Sequence, residues 1–369
     1  MNRKFLLTFV FIALILPFVS CTHMAPPDQL ISRTDGLEDW GKAPPGPNDL
    51  ARHRIDGEKP FEWWYFDGHL DNGQVFVGVF QVPSFVSGDI EAMFTLYTED
   101  WVRKDYFIKL NPEEIRVSYD DVHIETPAGF VRRLDDNTYH VKWAIDDMEA
   151  EFTLTTLAQG WMPGKTRGQV NLPENEFFWA VHQGQNRIDG TLTRNGVTQH
   201  VTGIGYADHN WGKKPLNEIT RKWTWGRIIA GDYTIIYAAV DYHDPALVLN
   251  PLYIAKGDRL IVGSGSPTIR QWDYETHPGL GRHFPRQVEI EYDGDGIQAK
   301  LHVRKKRLVE DVDLIKYAGY DGISRWLIRT FFARPTYFRI IAEFDGSIRV
   351  DGEEDAIAGE CLYEVMGFE

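Results

Sequence analysis

The chain is poor in cysteine. Its 369 residues hold two, Cys21 and Cys361, too few for a disulfide framework, so packing must hold the fold together. No Cys-x-x-Cys, no His-Glu-x-x-His and no Gly-x-x-x-x-Gly-Lys-Ser/Thr loop is present, which removes the usual signatures of redox pairs, zinc hydrolases and phosphate cradles. Gly263-Ser264-Gly265-Ser266 lacks the Gly-x-Ser-x-Gly spacing of a hydrolase elbow. Gly203-x-Gly205 runs on to Asp208 where a dinucleotide fingerprint has glycine. Scattered histidines such as His53, His123 and His302 read as surface residues. We therefore expect no metal and no cofactor. Basic charge is also the minority, 39 Lys and Arg against 54 Asp and Glu, a formal net charge of −15. That excludes nucleic acid as a main partner. Long amphipathic helical runs are scarce, and the best helix candidate covers residues 322–333, stopped by Pro335.

One apolar run stands at the start. Arg3 and Lys4 precede an apolar stretch over residues 5–18, too short for a comfortable membrane span, and the segment ends in Phe18-Val19-Ser20-Cys21. A small residue directly before Cys at the end of such a run resembles a bacterial lipobox, with residues 1–20 as the signal peptide and Cys21 as the lipidated N-terminus. An ordinary secretory signal or an anchor helix is the other reading. Lipidation predicts a protein of the bacterial cell envelope, held to a membrane on the periplasmic side by its acyl anchor. The loss of Arg3 and Lys4 would take the charge from −15 to −17, so the lipid and not surface charge would do the holding. Residues 21–60, with Pro26, Pro27, Pro44, Pro45, Pro47 and Pro60, read as a tether.

What the chain has in abundance is aromatic residues: 12 Trp, 16 Tyr and 21 Phe. Flat side chains in that number suit large β-sheet cores or a cavity for a greasy ligand. From Phe61 onward short β-type stretches alternate with turn signals. The Asn-Gly pairs at 72/73 and 195/196 predict hairpins, because both turn residues tolerate positive φ. An internal echo divides the chain. Glu62-Trp63-Trp64-Tyr65 leads into a strand, a turn at Gly73 and a second strand; Lys222-Trp223-Thr224-Trp225 does the same around Gly231, about 160 residues later, roughly one domain length. The expected fold is all-β, a tandem of two antiparallel β-barrels, the first over residues 61–217 and the second over 218–369.

The densest polar and aromatic cluster is Gly203-Ile204-Gly205-Tyr206-Ala207-Asp208-His209-Asn210-Trp211-Gly212. Its glycines let several large side chains converge. Asp208 beside His209 supplies two groups able to move protons near neutrality if burial shifts their pKa values, and a capped loop is the plainer reading of the same triplet.

Pro60-Phe61-Glu62-Trp63-Trp64-Tyr65-Phe66, Gly190-Thr191-Leu192 and Gly203-x-Gly205-Tyr206-x-Asp208-His209-Asn210-Trp211-Gly212 together resemble the hydroxyneurosporene synthase (carotenoid hydratase) and AttH-like family, from about Phe61 to the C-terminus. The resemblance implies two lipocalin-like barrels packed side by side, a pocket for a hydrophobic substrate, and cofactor-free chemistry such as hydration of an isoprenoid double bond or cyclisation. Asp208, His209 and Trp211 match the family's functional motif, and Tyr237 and Asp241 resemble the Tyr and Asp that follow it. Glu62, Trp63, Trp64, Tyr65, Tyr206, Trp223 and Trp225 are the expected ligand-binding residues.

Two functions fit these expectations. In an enzyme, Asp208 protonates an alkene, His209 or Asp241 orients water, and Trp64, Trp211, Trp223 and Trp225 steady the cation, each by about 0.5–2 kcal/mol. In a non-catalytic carrier the same cavity holds a lipid and Asp208 and His209 only satisfy buried backbone groups. Both readings require Trp64, Asp208, His209, Trp211 and Tyr237 to share one cavity.

Overall fold

The computed structural model describes residues 29–33, 41–57, 59–84, 87–164, 177–243, 250–314 and 335–368. The leader, Cys21 and the helix candidate at 322–333 lie outside them. Among the described residues the regular secondary structure is almost all strand, with short helices at Pro47–Leu50 and Leu216–Ile219 and a 3-10 turn at Pro112–Glu114.

Two antiparallel sheets carry the fold, and the switch between them falls between Gly212 and Thr220. The first has eleven strands. Its centre is Val75–Gln81, Phe61–Leu70, Val197–Gly212 and Phe177–Arg194, in that spatial order. The second has ten, centred on Thr336–Val350, Glu353–Gly367, Thr220–Ala230 and Tyr233–Tyr242. Both expected hairpins form: Gly73 has φ +82° after Asn72, and Asn195 and Gly196 have φ +49° and +75°.

Each sheet curls around its own apolar filling. In the first, Trp143 from Thr138–Ile145 crosses to the opposite wall and packs on Phe66, Phe80 and Phe94, with ring centroids 5.4–5.6 Å apart. That crossing requires glycine at 78, where a Cβ would stand 2.4 Å from the Trp143 ring. In the second, Phe284, Phe338 and Tyr363 fill the interior. A lipocalin-like pair of barrels is the result.

A third apolar layer lies between the barrels, where Phe61, Trp161, Trp179 and Tyr206 meet Ile236, Tyr242 and Tyr253. Strands that border it are buried on both faces, so Val75–Gln81 reads as a nearly continuous apolar run. Thr138–Ile145, with one wet face, alternates. Across the layer Tyr253 donates to the Gln159 carbonyl at 2.8 Å and Arg227 pairs with Asp67 at 2.5 Å.

Parts of the stretch read as a tether are packed. Gln29–Arg33 adds an edge strand to the second sheet beside Thr268–Thr276. Residues 41–57 strap the first barrel: Leu50 and Ala51 are buried, Trp161 Nε1 donates to the Gly41 carbonyl at 3.0 Å, and Trp64 Nε1 to the Leu50 carbonyl at 3.0 Å. Proline content hid this, because a strap needs only a few anchoring contacts and no hydrophobic period.

Candidate active site between the barrels

Strand pleating decides which of the motif residues meet. Successive side chains point to opposite faces of a sheet, so Val197–Gly212 sends Tyr206, Asp208 and Asn210 toward the inter-barrel layer. It sends Ala207, His209 and Trp211 into the first barrel. The neighbouring Phe61–Leu70 strand does likewise: Trp63, Tyr65 and Asp67 face the second barrel, while Glu62 and Trp64 face inward. Asp208 and His209 are adjacent in sequence and stand on opposite sides of the sheet.

The inter-barrel side holds two adjoining cavities of about 120 and 190 Å³ that share Trp63, Tyr65, Trp223 and Glu364 as walls. Trp63 and Tyr65 from one half of the internal echo face Trp223 and Trp225 from the other half. The smaller cavity is an aromatic box with Asp208 and Asn210 on its floor. Asp208 Oδ2 accepts hydrogen bonds from Trp179 Nε1 at 3.0 Å and from the Tyr206 hydroxyl at 2.8 Å; its Oδ1 accepts from Asn210 Nδ2 at 2.9 Å. Burial pushes its pKa from 3.8 up to about 7, against the pull of the Tyr206 and Trp179 donors. Both lone pairs of Oδ2 are engaged, so the proton of the neutral acid resides on Oδ1. Trp225 Nε1, on the same wall, has no partner among the described residues.

The larger cavity is apolar along Val77, Val79, Met93 and Val312 and polar at one side. There Arg339 pairs with Glu364 at 2.7 Å and donates to the Tyr337 hydroxyl at 2.6 Å, and Arg103 pairs with Glu310 at 2.9 Å while Tyr97 also bonds Glu310. Burial raises the Glu364 pKa, with Arg339 opposing. Two guanidinium groups against two carboxylates leave no excess charge to attract an ion. None of these residues was expected from the sequence. Their signal was a lone charge inside an apolar run, as in Phe338-Arg339-Ile340 and Tyr363-Glu364-Val365.

The remaining expected site residues lie elsewhere. His209 is fully buried in the first barrel, stacked on Trp64 at 4.3 Å, and its Nε2 sits 2.9 Å from Glu62 Oε1. Burial lowers its pKa to about 4, against the hydrogen bond that it donates to Glu62, so at neutral pH it is an uncharged donor to that carboxylate. Trp211 stacks between His53 at 3.8 Å and Phe178 at 5.1 Å. His53, expected on the surface, is half-buried there and bonds Glu62 Oε1 at 3.0 Å through Nδ1. His53, Glu62 and His209 offer donor atoms within 4.8 Å of one another, the trio among the described residues with a metal-binding donor set. Glu62 Oε1 takes the hydrogen bonds of both imidazoles, His53 through Nδ1 and His209 through Nε2, while the buried His209 Nδ1 has no partner among the described residues. Tyr237 belongs to the second barrel's core, lying over Gly226, where a Cβ would stand 2.4 Å from its ring. Asp241 is half-exposed and pairs with Arg221 at 2.7 Å. Tyr206 lies under the cavity floor, bonded to Asp208. The shared cavity required of Trp64, Asp208, His209, Trp211 and Tyr237 therefore contains Asp208 alone of the five.

These features define a class: two lipocalin-like barrels with a buried acid in an aromatic cavity between them. The resemblance read from the motifs is borne out, because the family model for the carotenoid hydratase CrtC matches residues 163–260, a span that holds Asp208, Trp223, Trp225 and Tyr237. A quinolone epoxide rearrangement protein, asqO, of Emericella nidulans is 28% identical over 121 residues. That match covers 32% of this chain and 33% of the relative, so the chain spans about a third of the length of the curated protein it matches. Among solved structures, an AttH-like protein of Nitrosomonas europaea superposes with a TM-score of 0.61 at 17% identity, over 89% of this chain and 98% of its own. Kievitone hydratase of Nectria haematococca gives 0.55 at 12% identity, over 90% and 98%. These structural likenesses establish the common fold.

Proposed function

We propose that the protein hydrates a carbon–carbon double bond of a hydrophobic, isoprenoid- or lipid-like molecule in the inter-barrel cavity, with Asp208 as the acid. The observation that carries this reading is a carboxyl group held near a pKa of 7 by burial inside a box of indole rings. The proton on Asp208 Oδ1 passes to one alkene carbon, forming a C–H bond from the π electrons. The other carbon becomes cationic against the faces of Trp63, Trp223 and Trp225, each able to stabilise it by about 0.5–2 kcal/mol. Water adds through its oxygen, and the proton it then releases returns to the Asp208 carboxylate, whose charge Trp179 and Tyr206 stabilise by donating to Oδ2. The sum is alkene plus water giving an alcohol. His209 takes no part, because it lies across the sheet. The match to the carotenoid hydratase model and the likeness to a kievitone hydratase support the reaction class. The same proposal keeps the lipobox reading: Cys21, acylated, would hold the protein on a membrane of the bacterial envelope, and Cys21→Ala would release it to the soluble fraction.

The test is incubation with a panel of polyenes and isoprenoid alkenes in water enriched in oxygen-18, followed by mass spectrometry. The wild type should incorporate one labelled oxygen, and Asp208→Asn, folded by circular dichroism, should lose at least a hundredfold in rate. Equal rates would remove Asp208 from the chemistry. A ligand retained without label by the wild type across the panel would make the protein a carrier.

A further inference from the structure

The larger cavity carries an unused hydrogen-bonding group that the proposed acid catalysis does not employ. Gln81 ends the apolar run Val75–Gln81 and is buried, and it lines this cavity. Its amide Nε2 donates to Met93 Sδ at 3.2 Å, while its Oε1 has no partner among the described residues. A thioether sulfur can only accept, so the amide cannot be turned the other way, and the oxygen is the end left free. An unpaired buried acceptor is costly to a fold unless something else supplies the donor. The ion pairs beside it, Arg339 with Glu364 and Arg103 with Glu310, are engaged with each other. The free oxygen of Gln81 therefore sets the polarity this wall asks of a guest.

We propose that Gln81 is a specificity-determining residue that accepts a hydrogen bond from a hydroxyl group of the substrate, so that the preferred ligand is a hydrophobic alkenol and not a hydrocarbon. This rests on the inter-barrel cavity being the binding site. Strand register gives the scale. Gln81 pairs with Trp63, and Trp63 pairs with Asn210, two residues beyond Asp208 on the same face. Two strand spacings and a two-residue offset separate the backbones of Gln81 and Asp208 by about 12 Å. The hydroxyl would be bound in the larger cavity while a double bond farther along the chain reaches the acid in the smaller one.

The experiment measures binding of farnesol and farnesene, C15 isoprenoid chains of similar length with and without a hydroxyl, by quenching of tryptophan fluorescence, in the wild type, Gln81→Leu and Gln81→Glu. The wild type should bind farnesol about tenfold more tightly than farnesene, the scale of one buried hydrogen bond. Gln81→Leu should abolish the preference by weakening farnesol alone, and Gln81→Glu, which keeps an acceptor, should retain it. Equal affinities in the wild type, or a preference unchanged in Gln81→Leu, would overturn the role of Gln81 and leave the cavity reading intact. Failure of both probes to quench would overturn the cavity reading together with this one.

Discussion

Replacing Asp208 with Asn should stabilise the protein, and increasingly so as pH rises. In the folded protein the carboxyl titrates near 7 instead of 3.8, because burial penalises the carboxylate more than its hydrogen bonds favour it. A folded pKa above the unfolded one means that folding favours the protonated form. Stability is therefore highest below the unfolded value and declines by about 1.4 kcal/mol per pH unit up to about 7, a total near 4 kcal/mol. Asn removes the titration and keeps an oxygen to accept from Trp179 and Tyr206, while Asn210 can rotate its amide to match. Between pH 5 and pH 8 the advantage of Asp208→Asn over the wild type should grow by roughly 2–3 kcal/mol. Urea denaturation of both proteins across that range measures it, with every other titrating group common to the two. A stability gap that stays flat with pH would mean that Asp208 titrates as an ordinary carboxylate and would refute the acid assignment at its root.

Other substitutions separate the two faces of the motif strands. Trp64→Ala should cost about 3–5 kcal/mol in urea denaturation, since the ring is fully buried in the first barrel, yet leave ligand affinity within about twofold; a tenfold loss of affinity would place it at the cavity after all. Arg227→Met should cost about 3–5 kcal/mol by leaving Asp67 buried without its partner, and adding Asp67→Leu should recover much of the loss. A cost under about 1 kcal/mol for the single change would show the pair to be solvated.

The barrels were legible in the sequence because their signals are local. Asn72-Gly73 and Asn195-Gly196 mark turns by backbone chemistry, and the repeated Trp-x-aromatic hairpins announce two similar units whose facing indoles become the cavity walls. The site was only half legible. The motif Tyr-x-Asp-His-x-Trp-Gly presents Asp208 and His209 as neighbours, whereas a strand period of two sends them to opposite faces. Applying that period would have paired Asp208 with Tyr206 and Asn210, and Glu62 with Trp64. It would not have found Glu364, Arg339 or Gln81, which reach the cavity from remote strands through sheet order and barrel docking. Tyr237 and Asp241 show the same limit, since one packs the second barrel and the other faces Arg221 outside it.

A crystal structure of the protein grown with farnesol would show where the ligand lies. Its chain should run between the barrels, against Trp63 and Trp223, with its unsaturated end at Asp208. Density inside either barrel, around His209 or Tyr237, would contradict that placement.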